Sequence, residues 1–318
     1  GWPSMFFHPE WDLMLLAYVD DFKMAGPKGN LAKAWASLSR IKMEPPTEVG
    51  RFLGCNHTVT QLHDRKEIEW DMCGFVRQCI DRYRELCPEV VKFVPAKTPF
   101  LDEANISEDD ESRPGVLGPS ASKILMKILY CARMARFDLL RAVCGLASEV
   151  TRWNVACDQK LYRLMCYLND TQDFTMKGYI LKTARKSDAS FRLYADADFA
   201  GCKRTARSTS GTYAGLSGPG IFVPQAGKSV KQGCVSHSTP EAELVSADTA
   251  LRTVGLPFMD LWDIVLKRGI ELVFEEDNQT AIITMKKGFS PQMRHMGRTH
   301  NVSLRWLAEV LAQPGVII

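Results

Sequence analysis

Apolar and polar positions fall into three textures along the chain. From 11 to 23 the sequence WDLMLLAYVDDFK is nearly continuously apolar on either side of an aspartate pair. That predicts a strand, a tight turn carrying the carboxylates, and a second strand. Over 28–43, Leu31, Ala32, Trp35, Leu38 and Ile41 share one helical face. A further strand is predicted from Arg51, followed by a hairpin to Trp70. A helix over 72–86 follows, carrying Phe75, Cys79, Ile80 and Tyr83.

The second texture begins with a linker over 94–119, which holds Pro95, Pro99, Pro114, Pro119 and the acidic run Glu108-Asp109-Asp110-Glu111. Residues 121–170 contain no proline, and Ile124, Ile128, Leu129 and Ala132 recur at helical spacing, which predicts three short packed helices. The third texture starts near Ser190. Residues 191–199 alternate as a strand, and 209–216 and 220–232 predict two more around Gly218-Pro219-Gly220. Helices over 239–253 and 256–268, a short buried strand over 272–274 and a helix over 278–287 complete the pattern. Three strands, helix, strand, helix describes a mixed α/β sheet.

Composition adds little to this picture. The chain has 318 residues, 46% of them hydrophobic, with a formal charge of +3. Length is consistent with two domains or one large one. The charge permits nucleic-acid binding without requiring it. The ten cysteines form no C-x-x-C pair and no zinc-finger spacing with histidine. Free thiols in a reducing, intracellular compartment are therefore expected. No signal peptide and no membrane-length apolar run is visible, and the absence of an initiator Met suggests a chain that starts mid-protein.

The candidate chemistry lies in carboxylates. On a strand, Tyr194, Asp196 and Asp198 share one face. Two carboxylates there either bind metal or lie at an exposed strand end. In STPEAEL, Ser238 and Glu241 have capping-box spacing with Pro240 in the first turn. That accounts for Glu241 and leaves Glu243 as the better ligand candidate. Asp277 follows a strand and precedes a helix, where it serves either as an N-cap or as a ligand. Lys203, Arg204, Arg207, Lys228 and Lys231 contact phosphates on one reading and are ordinary solvated hairpin residues on the other. His295 and His300 are candidates for protonating a leaving group or assisting product release.

In order, YADADFAGC, RSTSG, STPEAELVSA and EDNQTAI resemble the ribonuclease H domain of copia-type LTR-retrotransposon Pol polyproteins. YVDD at 18–21 resembles the reverse-transcriptase active-site turn, and RFLG at 51–54 the strand after it. Residues 127–168, with ILYCARMARFDLLRAV and LYRLMCYL, are similar to the helical thumb. The resemblance implies a reverse-transcriptase palm remnant over 1–95, a linker over 96–120, a helical thumb or connection over 121–185, and a ribonuclease H-like domain over 186–318. The implied fold is α+β to α/β, with the last domain built on a mixed five-stranded sheet with flanking helices. It further implies Asp196, Glu243 and Asp277 as ligands of Mg2+ (or Mn2+) for cleaving RNA in an RNA–DNA hybrid, with Asp20 and Asp21 as the polymerase metal ligands. Hybrid or other nucleic acid and the remainder of a polyprotein are the expected partners, with no membrane association.

Two departures from the family pattern stand out. The earlier palm strand with its further Asp, and the fingers, do not precede YVDD in this chain, so polymerase activity is not expected. In the segment RTHNVSLR, Ser303 occupies the position of the family's fourth carboxylate. His300 and Glu309 lie nearby but not at the matching position. A catalytically decayed fragment that keeps the fold, and with it nucleic-acid binding, is the alternative to a working nuclease. An integrase-like transferase fits less well, because the carboxylate order is Asp, helical Glu, then Asp after a strand.

Overall fold

The computed structural model describes residues 2–89, 92–101 and 106–318, so residues 102–105 of the expected linker lie outside the described residues. The fold is mixed α+β. A small antiparallel sheet of β1 (Met5–His8), β2 (Leu13–Tyr18) and β3 (Asp21–Ala25) stands apart from a nine-stranded mixed sheet. Its β2–β3 turn places Val19 at φ +56°, with Tyr18 opposite Asp21. Trp2 attaches this sheet to the C-terminal half by donating its indole N–H to the Pro257 carbonyl at 2.9 Å and setting its ring edge-on to Phe258.

Helix α1 (Lys28–Ser37) stops earlier than its apolar spacing predicts. The Ser37 hydroxyl donates back to the Ala34 carbonyl at 2.7 Å, and such back-bonding competes with continued helix. Strands β4 (Arg51–Phe52), β5 (Cys55–Gln61) and β6 (Arg65–Asp71) form an antiparallel meander. Helix α2 (Cys73–Leu86) follows, then the short α3 (Glu108–Ser112) inside the expected linker. The helices α4 (Gly118–Met134), α5 (Leu140–Ala147) and α6 (Val155–Asp170) agree with the three expected over 121–170. Their inward faces, including Ile124, Leu125, Val143, Leu161 and Leu164, bury one hydrophobic core with Val76 and Ile80 of α2.

The sequence reading missed β7 (Met176–Leu181), which pairs with β6 on one side and with β10 (Ile221–Lys231) on the other. β8 (Ser190–Asp198) and β9 (Thr209–Gly218) continue the sheet, followed by β11 (Glu271–Glu275) and β12 (Val316–Ile317). The order is β12-β11-β8-β9-β10-β7-β6-β5-β4. Among the described residues, only the β8–β11 and β11–β12 pairs are parallel. The sheet thus holds nine strands where five were expected, because β7 caps the β10 edge and carries three more strands with it.

A second core forms on one face of the last strands. Phe191 and Leu193 of β8 and Leu272 and Phe274 of β11 pack against Leu244, Ala247 and Leu251. Leu244 and Ala247 belong to α7 (Thr239–Ala250), which is joined to α8 (Leu256–Leu266) by a π-helical turn over Leu251–Gly255. Pro257 accounts for that turn, since it lacks an N–H for the Thr253 carbonyl and its ring crowds that position. α9 (Gln279–Lys287), α10 (Met296–Thr299) and α11 (Leu304–Leu311) follow.

The two cores meet where the 3-10 turn Phe137–Leu139 and α5 lie on β10. A Cβ at Gly227 would sit 2.7 Å from Phe137 Cγ and 3.0 Å from Leu140 Cδ1. Gly227→Ala is expected to cost about 1–3 kcal/mol through this overpacking. An unchanged denaturant midpoint would show that the layers can separate there freely.

Candidate metal centre

Asp196 lies near the end of β8, on the face opposite buried Leu193, Ala195 and Ala197. Its backbone is locked independently of its side chain, because the Ser246 hydroxyl of α7 donates to the Asp196 carbonyl at 2.8 Å. Directly across the ladder stands Gly211, which leaves the space beside the Asp196 carboxylate open. Glu243 projects from the second turn of α7 and is only 4% exposed. Asp277 follows β11. The cap of α9 is Asn278, whose side chain accepts from Ala281 N–H at 3.0 Å, so Asp277 has no capping duty.

The fold brings these three together. One oxygen from each of Asp196, Glu243 and Asp277 lies within 4.8 Å of the others. Such a group of carboxylates can hold a metal ion, and its all-oxygen donor set suits a hard divalent cation. Two observations support the fit. Among the described residues, buried Glu243 Oε2 finds no hydrogen-bond partner. Burial, then the charges of Glu276, Asp196 and Asp277, push the Glu243 carboxyl up to about 8.

Glu276 is a fourth acidic neighbour that the sequence reading passed over. Burial first, and then Asp277 and Asp196, push it up to about 7, against a backbone hydrogen bond from Asn278. Its Oε2 is likewise buried without a partner. The sequence signal was the run Glu275-Glu276-Asp277. Glu275, the last residue of β11, pairs with Arg192 at 2.6 Å, and Glu276 follows just beyond the strand.

Asp198 shares a face with Asp196 but serves a different purpose. It accepts from Arg141 of α5 at 2.7 Å and from the Thr209 N–H, tying the helical layer to the sheet. Ser303 is the N-cap of α11, where its hydroxyl accepts from Trp306 N–H at 3.2 Å. Glu309 pairs with exposed Arg305, and His300 is held by Glu241 at 2.7 Å, so neither joins the three carboxylates. Asp20 and Asp21 are exposed at the β2–β3 turn, and among the described residues they join no third ligand.

The basic candidates separate into two settings. Lys203, Arg204 and Lys231 line a cavity of about 330 Å3, together with Arg141, Arg152 and Lys160. Glu149 in its wall accepts from Arg204 at 3.1 Å and lies 3.6 Å from Lys231. Arg207 is exposed on the same loop. Lys228 instead lines a shallow groove of about 450 Å3 beside Asp196, flanked by Tyr194 and Tyr213. The Lys228 ammonium reaches Thr253, donating to its hydroxyl at 2.8 Å and its carbonyl at 3.4 Å. That carbonyl is the one Pro257 cannot serve, so Lys228 mends the π-helical turn.

All ten cysteines are free. Among the described residues, no helix is long and apolar enough to cross a membrane. No protein-family model and no curated protein matches the chain.

Proposed function

We propose that this chain carries a ribonuclease H-type nuclease of retrotransposon descent, preceded by a segment related to RNA-directed DNA polymerases. The convergence of Asp196, Glu243 and Asp277 within 4.8 Å is the observation that carries this reading. The strand order supports it: β8 lies between antiparallel β9 and parallel β11, with α7 entering between the third and fourth strands of the unit. The exposed hairpin with Asp20 and Asp21 at its turn, and the α4–α6 helices, fit the active-site hairpin of a polymerase palm and a thumb.

Bound Mg2+ or Mn2+ would supply a polarised phosphate and an activated water. The chain's own residues do the rest. Asp196, Glu243 and Asp277 would hold the ions. The groove beside Asp196 offers Tyr194 and Tyr213, whose rings stand 6.0 Å apart, as an apolar wall for a hybrid's backbone and sugars. The cation-lined cavity continues this surface past Arg141, giving phosphates a charged path.

A specific observation favours a second reading, a decayed enzyme. Ser303 stands where the resemblance implies a carboxylate, and its hydroxyl is engaged in capping. A labelled RNA–DNA hybrid incubated with the purified chain and magnesium separates the two. Cleavage above background supports the nuclease, and none supports decay. Ser303→Asp keeps an effective N-cap and adds the charge. It is expected to raise the cleavage rate about tenfold or more by strengthening ion binding. A Ser303→Asp chain that neither cleaves nor binds hybrid would sink both readings.

A further inference from the structure

The first turn of α7 holds a second cluster of ligating side chains, on the opposite side of the helix from Glu243. Glu241 and Glu243 are two residues apart, about 200° around a helix. The Glu241 side chain is 2% exposed. Its Oε2 accepts from the His237 backbone N–H at 3.1 Å. Its Oε1 lies 2.7 Å from His300 Nε2 and 3.1 Å from His295 Nε2. The His237 ring stands 5.5 Å from the His295 ring, nearly perpendicular to it. One ligand atom from each of His237, Glu241 and His295 lies within 4.8 Å of the other two.

We propose that His237, Glu241 and His295 form a binding site for a Zn2+-class transition metal, with His300 holding the carboxylate from behind. Two imidazoles and one carboxylate are a borderline donor set that suits zinc better than magnesium. Metal–ligand bonds near 2.0–2.1 Å place tetrahedral ligand atoms roughly 3.3 Å apart. The Glu241–His295 separation of 3.1 Å is already close to that. His237 is exposed, so its ring can swing the remaining distance and gives an ion a path from solvent. His300, buried to 2% exposure, is placed to donate to Glu241 and fix its orientation, as outer-shell partners of metal ligands do. The fourth position would fall to water.

The site joins parts of the chain that the sheet does not. His237 precedes α7, Glu241 lies in its first turn, and His295 and His300 flank α10, just before Ser303 and α11. A bound ion would clamp the end of the chain to the helix that carries Glu243.

The test is zinc titration of the metal-stripped full chain by calorimetry, with magnesium in large excess to fill the carboxylate centre. Co2+ is added in parallel to read visible d–d absorption. One-to-one saturable uptake is expected, with the absorption of a four-coordinate nitrogen and oxygen site. His237→Ala alters an exposed side chain and is expected to weaken uptake by at least about 100-fold. His300→Ala is expected to weaken it about 10–100-fold. Asp196→Asn is expected to leave it unchanged. No saturable uptake, uptake unaffected by His237→Ala, or uptake lost in Asp196→Asn would each overturn the proposal. None of these outcomes depends on hybrid cleavage.

Discussion

Asp196→Asn is expected to lower magnesium-dependent cleavage of a hybrid's RNA strand by about 10^3-fold or more, some 4 kcal/mol of barrier. The substitution keeps the shape of the side chain and removes one of three charges that converge on the ion. The fold should not change, because β8 is held at this point through the Asp196 carbonyl and Ser246, not through the carboxylate. Losing the Asp196 charge also relieves Glu243 and Glu276, both of which it pushes upward. The metal-free variant should therefore melt no lower than the parent chain. A variant that melts normally and still cleaves within about tenfold of the parent would remove Asp196 from the chemistry.

Glu243→Gln is expected to stabilise the metal-free chain at alkaline pH while abolishing its response to magnesium. The ordinary glutamate value is 4.5, and Glu243 is raised to about 8 in the folded chain. Between those values the folded state binds the extra proton. The stability it contributes is thus full below about pH 4.5 and is lost as pH rises through about 8. Glu276, raised to about 7, acts in the same direction. In chelator, the parent chain should lose stability from mildly acidic to alkaline pH, and Glu243→Gln should lose less. At the alkaline end the variant should lead by roughly 2–3 kcal/mol, after discounting for the solvent that reaches Asp196 and Asp277. Magnesium should reverse the order, since an ion bound only to the folded parent raises its stability by mass action. Denaturation curves at two pH values, with chelator and with magnesium, check all of this. A parent chain that is more stable at alkaline pH in chelator would mean the carboxylates do not repel one another as described.

Much of the site was legible because its signals are local. Alternation along 191–199 puts Asp196 on a strand face, and the Ser238 cap accounts for the start of α7 without using Glu243. Ser238 does accept from the Glu241 N–H, but Glu241 returns its carboxylate to the His237 N–H and to two histidines, not to Ser238. Nothing in the spacing of 238–241 signals partners more than fifty positions away. Asp277 remained open between cap and ligand until Asn278 took the cap. The nine-stranded sheet was not legible for a related reason. Met176 to Leu181 alternates only weakly, and its partners, Trp70 on one side and Phe222 on the other, lie far away in the chain.

That long-range seam also bears on how the chain is made. Glu69 and Thr175, hydrogen-bonded beside it, are 106 positions apart. As the polypeptide leaves the ribosome, β4–β6 emerge as a meander with an open edge and must wait for β7. β7 in turn offers a bare edge until β10 follows. The helices α2, α4, α5 and α6 all lie between β6 and β7 in the sequence, so they can close their own core in the interval. Until the seam zips, the nascent chain displays unpaired strand edges of the kind that draw other strands, which makes this stage the one most in need of a chaperone.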